Sequence, residues 1–369
     1  MKRVQVFQIG TGTVGGAVLE QIVQHRSLWA RVLGMHVVVS GVAGRDGAYV
    51  VDDPDGIPDD ELLTIVKGKR NGEGLSAKGR SLVAAHAAIE PLAAHGPLIV
   101  MDAAAGDDSA TLDARTLDLG GGVALSNKAP MALPAVDDRG EALWGETGPQ
   151  GRLRYEATCG AGLPVISTIR NLLDTGDDIV EIMGTVSGTF GAIFSDVAAG
   201  KSFSVAVRDA KASGYTEPDP RDDLSGLDVA RKALILARTL GRTIDLDDIN
   251  VENLVPAHLQ HVSLDEFLLR VNEADQEIAD RAEASRAVGE TLKYIAKVEV
   301  AGSIRVGLQS IKTSTVLGAL QGPENIVSIR TKRYDRYPLT VTGPGAGAAV
   351  TAAGMTGDML SLANRLLCL

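Results

Sequence analysis

The sequence predicts an α/β protein in two parts: an N-terminal domain on a parallel sheet, then an α+β domain. Three observations lead there. Short β-branched runs alternate with helical periodicity through the first 150 residues, and a glycine-rich turn joins the first strand to the first helix. Beyond residue 151 helical patterns dominate until strand alternation returns near residue 297. Strands that alternate with helices imply a parallel sheet covered on both faces. A chain of 369 residues is long enough for two such cores.

Taken in order, Val4 to Ile9 is an apolar strand that ends in glycine, and Thr13 to Gln24 carries helical spacing. His36 to Ala43 is a second, β-branched strand. A helix is expected near Asp59 to Lys67, with further strands at Leu98 to Ala104 and Gly122 to Ser126. The second part opens with a strand at Leu153 to Ala157, a helix at Leu163 to Leu173 and a strand at Ile179 to Thr189. Strands return at Lys297 to Ile311 and Ile326 to Ile329, and Gly343 to Val350 leads into a last helix, Thr351 to Leu367.

Composition narrows the functions available. Hydrophobic residues are 45% and charged residues 22%, which excludes global disorder. Acidic residues outnumber Lys plus Arg by 47 to 36, and a net charge of −11 disfavours nucleic-acid and anionic-membrane partners. Two cysteines, Cys159 and Cys368, form neither a disulfide framework nor a thiolate metal cluster. The His258-x-x-His261 pair has no third ligand near it in sequence and reads as structural. The N-terminus enters a strand directly and no apolar run is long enough to span a bilayer, so a cytoplasmic location is expected.

Gly10-Thr-Gly12-Thr13-Val14-Gly15 matches G-x-G-x-x-G. Alone that pattern is weak. Between a strand and an apolar-periodic helix it carries a mechanism: Gly10 permits the tight turn, Gly12 admits a pyrophosphate and Gly15 lets helix pack on strand. The helix N-terminus then offers N–H groups to phosphate oxygens. A Rossmann dinucleotide domain is the reading. At the end of the second strand stands Arg45, suited to a ribose 2′-phosphate, with Asp46 directly after it. This predicts NADPH preference with some use of NADH.

The most specific segment runs from Gly214 to Lys232 and holds five carboxylates, from Glu217 to Asp228, in a proline-stiffened loop that leads into a helix. Asp228 and Lys232 are four apart and share a face. A lone Asp/Lys pair is commonly a solvated helix pair. Here Ile235 and Leu236 crowd Lys232, and a partly desolvated ammonium can hand over a proton near neutral pH.

Together with Ser126-Asn-Lys128, Tyr155 to Ile166 and Gly184-Thr-Val-Ser-Gly-Thr189, these motifs resemble homoserine dehydrogenase over nearly the whole chain. The resemblance implies NAD(P)H-dependent interconversion of L-aspartate 4-semialdehyde and L-homoserine, on the route to threonine and methionine. It implies a nucleotide domain over 1–150 plus 341–369, a substrate and dimerisation domain over 151–340, and a homodimer. It further implies a short form without an ACT domain or aspartokinase fusion. By the same resemblance Lys232 and Lys128 are catalytic, while Gly214, Glu217 and Asp228 hold substrate. Gly10, Gly12, Thr13, Val14, Gly15, Arg45, Ala104, Ser126, Lys128 and Gly347 lie along the dinucleotide. Glu156, Cys159, Ala161 and Leu163 bind a monovalent cation, usually sodium, mostly through carbonyl oxygens.

Chemistry supports these roles without the family name. Hydride addition to an aldehyde builds negative charge on oxygen, and a lysine can stabilise that charge and supply the proton. The sequence admits either lysine as donor. A substrate α-ammonium accounts for carboxylates such as Glu217. Two rivals remain open. An aspartate-semialdehyde dehydrogenase would need a nucleophilic cysteine, for which only Cys159 is placed. A silent nucleotide sensor would not need to keep Lys128, Glu217, Asp228 and Lys232 together.

Overall fold

The computed structural model describes residues 2–145 and 151–368. It divides the chain into one unit of Met1–Pro164 with Ala346–Leu369 and a second of Val165–Gly345. The expected boundary at residue 150 lies outside the described residues. In the first unit the elements are β1 (Lys2–Ile9), α1 (Thr13–Leu33), β2 (Met35–Gly44), β3 (Gly47–Val50), α2 (Asp59–Arg70), α3 (Ala85–Ala94), β4 (Leu98–Asp102), α4 (Ala110–Asp118), β5 (Gly122–Leu125), α5 (Asp138–Gly145) and β6 (Leu153–Arg154). The second unit holds α6 (Val165–Asp174), β7 (Ile179–Thr185), α7 (Gly188–Ala198), α8 (Phe203–Ala212), α9 (Pro220–Leu224), α10 (Leu227–Thr239), β8 (Asn250–Val251), α11 (Leu264–Arg270) and α12 (Asp275–Ala287). It continues with β9 (Glu290–Glu299), β10 (Ile304–Lys312), α13 (Val316–Ala319), β11 (Glu324–Thr331) and β12 (Leu339–Pro344), and α14 (Ala348–Leu366) then belongs to the first unit.

The first sheet runs β3-β2-β1-β4-β5-β6, and its pairs are parallel except the β2–β3 hairpin. Successive buried residues from Val4 to Gln8 mark β1 as a strand covered on both faces. Strand order reverses beside β1, with β2 on one flank and β4 on the other, so a crevice opens at their carboxyl ends. Val4, Val6, Val39, Ile99 and Met101 share a core with Leu19 and Ile22 of α1 and with Met355, Met359 and Leu362 of α14. Leu362 is fully buried there. Leu362→Ala is expected to destabilise this unit by about 2–5 kcal/mol, read as a lower urea midpoint.

The second sheet, β12-β11-β7-β9-β10-β8, is antiparallel apart from the short β8–β10 pair. Helices α7, α10 and α12 pack against β9. Phe190 of α7 stacks on Tyr294 of β9 with ring centroids 3.7 Å apart.

Several boundaries differ from the sequence reading. Residues 151–164 join the first unit because β6 pairs in parallel with β5, and β6 is only two residues long. The strand expected over Ile179 to Thr189 ends at Thr185, where the Ser187 hydroxyl accepts from the Phe190 N–H and starts α7. The stretch Lys297 to Ile311 is a hairpin of two strands, its first arm beginning at Glu290. The loop before Lys232 holds a short helix, α9, capped by the Asp219 carboxylate. Among the described residues no helix is long and apolar enough to cross a membrane.

Candidate active site

In the first unit the glycine turn is built by steric need. Gly10 sits at φ +81°, and a Cβ there would lie 2.7 Å from the Ala103 carbonyl oxygen. At Gly15 a Cβ would fall 1.9 Å from the Gly10 carbonyl oxygen, so only glycine lets α1 rest on the turn. A Cβ at Gly12 would meet no protein atom within 4 Å, which leaves that face open to a ligand. No side chain caps the N-terminus of α1, so its first N–H groups at Thr13 and Val14 are not engaged by a capping residue. The turn therefore fits a pyrophosphate.

Gln8 was not anticipated. Its fully buried amide donates to the carbonyls of Ile9 and Gly10 at 3.0 and 3.1 Å, bracing the turn from beneath. Arg45 and Asp46 form the β2–β3 turn, where Arg45 is exposed. The Asp46 carboxylate instead accepts from the Ser76 N–H at 3.1 Å. Burial pushes its carboxyl up, but hydrogen bonds from Ser76, from its own backbone and from Leu75 together hold it below the ordinary carboxylate range. Lys69 lines a cleft together with Thr11, Gly44 and Asp46, a cation that the sequence pattern gave no reason to single out.

Ala104 follows β4, and its N–H donates to Asp102 at 2.8 Å. Ser126 and Lys128 follow β5, with the Ser126 N–H held by the Asp102 carbonyl at 3.0 Å. Both loops therefore stand at carboxyl ends of parallel strands. Gly347 precedes α14 at φ +126°, a conformation that side chains rarely adopt.

The segment from Glu156 to Leu163 is also in this unit. Cys159 is 1% exposed, and the Glu156 N–H donates to Asp358 of α14 at 2.8 Å. Gly160 and Ala161 both have positive φ, +90° and +57°. For alanine this backbone costs about 1–3 kcal/mol, a strain that marks sites where carbonyl direction matters. Such a turn fits a cation held by carbonyl oxygens, and no cluster of three or more His, Cys, Asp or Glu side chains with metal-holding geometry occurs among the described residues. His258 pairs with Glu273 at 2.6 Å.

In the second unit Lys232 is 8% exposed on α10. Its ammonium donates to the Val186 carbonyl at 2.6 Å and pairs with Asp228, one turn back, at 2.8 Å. The Val186 carbonyl belongs to the Gly184–Thr189 motif, so this motif grips the lysine directly. Gly226 starts α10 in the left-handed region, where a Cβ would strike the Tyr294 hydroxyl at 2.0 Å.

Asp223 organises the acidic loop. It accepts from the Glu217 N–H at 2.8 Å, and its other oxygen lies 2.8 Å from the Thr189 hydroxyl, which also reaches the Tyr215 carbonyl at 2.6 Å. Burial pushes the Asp223 carboxyl above its ordinary range, aided by Asp228 and Asp222 and opposed by these hydrogen bonds. Gly214 turns at φ +74°, and Glu217 leaves its carboxylate exposed. This unit thus offers one buried ammonium in an ion pair beside a braced loop that displays carboxylates.

Residues 164–360 match the family model for homoserine dehydrogenase. Across 372 aligned residues the chain is 34% identical to the homoserine dehydrogenase of Saccharomyces cerevisiae, with 99% of each chain covered. The chain belongs to the homoserine dehydrogenase family. A larger relative of homoserine dehydrogenases, the bifunctional aspartokinase/homoserine dehydrogenase 1 of Arabidopsis thaliana, is 49% identical over 211 residues. That match takes in 57% of this chain and 23% of the plant protein, so the chain spans less than a quarter of that relative. A hyperthermophilic archaeal homoserine dehydrogenase solved in complex with NADPH shares the fold, with a TM-score of 0.72, 23% identity and 97% of each chain covered.

Asp223 of the acidic loop and Thr189 of α7 brace this part of the homoserine dehydrogenase fold, and neither stands out as a site residue from sequence. Both lie inside motifs quoted above, Asp223 in the acidic run and Thr189 at the end of Gly184–Thr189. What sequence lacks is the contact between them.

Proposed function

We propose that this chain reduces L-aspartate 4-semialdehyde to L-homoserine with NADPH, and runs the reverse reaction, using NADH less well. The observation that carries the proposal is the buried Lys232 ammonium, held by Asp228 and the Val186 carbonyl beside a loop of carboxylates. NADPH, when bound, supplies the hydride. Every other part of the chemistry falls to the protein. The N-terminus of α1 and the open face at Gly12 hold the pyrophosphate. Arg45 meets the 2′-phosphate, helped by Lys69 from the cleft that Gly44 and Asp46 also line, while Asp46 is turned to Ser76 and does not claim the ribose. Ala104, Ser126, Lys128 and Gly347 line the rest of the dinucleotide.

On the substrate side, Glu217 attracts the α-ammonium and Asp228 fixes both Lys232 and the hydroxyl region. Lys232 donates a proton to the carbonyl oxygen as negative charge grows there. Lys128 adds a second positive charge near the nicotinamide end. Asp223, bonded to the Glu217 backbone, holds the loop that presents Glu217. The carbonyls around Glu156, Cys159, Ala161 and Leu163 hold a monovalent cation, sodium by preference, which stiffens that turn without taking part in hydride transfer. The second unit, by the same reading, also carries the homodimer contact, and the enzyme works in the cytoplasm.

The deciding assay follows loss of NADPH absorbance with L-aspartate 4-semialdehyde as substrate. In a parallel assay with NADP+ as hydride acceptor, phosphate-dependent formation of an acyl phosphate would establish the rival dehydrogenase. Cys159 tests the same distinction independently. Its thiol is buried, so Cys159→Ala is expected to keep kcat within about twofold, whereas a nucleophilic cysteine would lose nearly all activity.

A further inference from the structure

We propose that Asp113 is a positioning residue, a neutral carboxylic acid that donates a hydrogen bond to ionised Asp102 and so sustains a clamp between the loops after β4 and β5. Asp102 ends β4 and Asp113 lies in the first turn of α4; both are fully buried. One Asp102 oxygen accepts from the Ala104 N–H at 2.8 Å. Its other oxygen accepts from the Ser109 hydroxyl at 2.7 Å and the Asn127 amide at 3.1 Å. The Asn127 amide also reaches the Gly106 carbonyl at 2.7 Å, and the Asn127 side-chain oxygen accepts from the Ala129 N–H at 3.2 Å. A single carboxylate therefore ties residues 104–109 to residues 126–129.

Asp113 is placed differently. Among the described residues neither of its oxygens has a hydrogen-bond partner, and the charge that bears on it is the Asp102 carboxylate. An ionised Asp113 would be desolvated, without a donor and against a second negative charge. Each of those conditions favours the protonated form. Protonated, it becomes a donor, and Asp102 gains a further hydrogen bond. Burial and the neighbouring Asp102 push the Asp113 carboxyl well above its ordinary range. Asp102 is also raised by burial, but its bonds from Ala104, Ser109, Asn127 and Asp113 work against that, so the shared charge rests on Asp102.

The loops that Asp102 joins include Ala104, Ser126 and Lys128, and their contact with the dinucleotide rests on the function proposed above. The sharing of one proton between the two carboxyls does not. The test is infrared spectroscopy of the full chain at pH 8 in wild type and Asp113→Asn, paired with NADPH titration of both proteins and of Asp113→Val. The wild type is expected to show a protonated-carboxyl carbonyl band that Asp113→Asn lacks. Asparagine, neutral and still a donor, should keep NADPH affinity, whereas Asp113→Val should weaken it about tenfold or more by removing the donor. An unchanged band in Asp113→Asn would overturn the proposal, as would equal loss of NADPH affinity in the Asn and Val variants. If Asp113→Val does not fold, the infrared comparison decides alone. A wild-type protein that binds no NADPH would instead count against the proposed function and leave the infrared result standing.

Discussion

Lys232→Ala should lower kcat by about two to four orders of magnitude, the range that a positioned proton donor contributes. The effect on binding should be small. The ammonium is buried although its Asp228 carboxylate is nearly half exposed, so truncation removes the donor to the Val186 carbonyl and costs about 1–3 kcal/mol of stability. The variant should still fold and bind NADPH as the wild type does, with a lower melting temperature. Lys232→Arg is expected to restore the charge without restoring turnover, because guanidinium does not release its proton. It would also need to place a planar fork where a single ammonium now meets the Val186 carbonyl and Asp228. Steady-state kinetics beside NADPH titration would read both effects. A Lys232→Ala enzyme with kcat near wild type would remove this lysine from the chemistry.

The second large effect is expected at the glycine turn, where two substitutions should part company. Gly15→Ala drives a Cβ to 1.9 Å from the Gly10 carbonyl oxygen, so α1 must move off the strand end. Its N–H groups then lose their aim at the phosphates. Each charge-assisted hydrogen bond lost costs about 1.5–3 kcal/mol, so NADPH affinity should fall by about 10- to 100-fold or more. Stability should fall with it, since the helix no longer packs closely. Gly12→Ala meets no protein atom within 4 Å and should fold normally, yet its methyl occupies the face left for the pyrophosphate. Weaker NADPH binding with an unchanged melting temperature is the expected signature. Calorimetric titration and thermal melts separate the two cases. Equal behaviour of both variants would contradict the assigned geometry.

The contrast between these glycines explains what sequence could disclose. Gly10 and Gly15 are legible because backbone sterics allow no other residue, and that demand is written within six consecutive positions. The Asp228–Lys232 pair is legible for a similar reason, since helical spacing alone brings the two together. Asp102, Ser109, Asp113 and Asn127 are different. They belong to a strand end, a loop, a helix and a second strand end, and only folding makes them a cluster. Asp223 and Thr189 meet across a comparable gap in sequence. The short strand β6 was legible as a strand over Leu153 to Ala157, but two residues carry too little pattern to say which sheet they join, and pairing with β5 took residues 151–164 into the first unit. The β9–β10 hairpin escaped as a pair because its arms read as one apolar alternation.

The placement of α14 bears on how the chain is made. Its Met355, Met359 and Leu362 fill the same core as β1 and β4, although more than 240 residues of sequence lie between β4 and this helix. Translation delivers β1 and β4 well before α14. The contiguous stretch from Val165 to Gly345 closes its own sheet without α14, whereas the earlier strands keep apolar side chains uncovered until that helix arrives. During that interval chaperones have a natural substrate, and ribosome-bound nascent chains ending near residue 345 should be captured by them far more readily than released full-length protein.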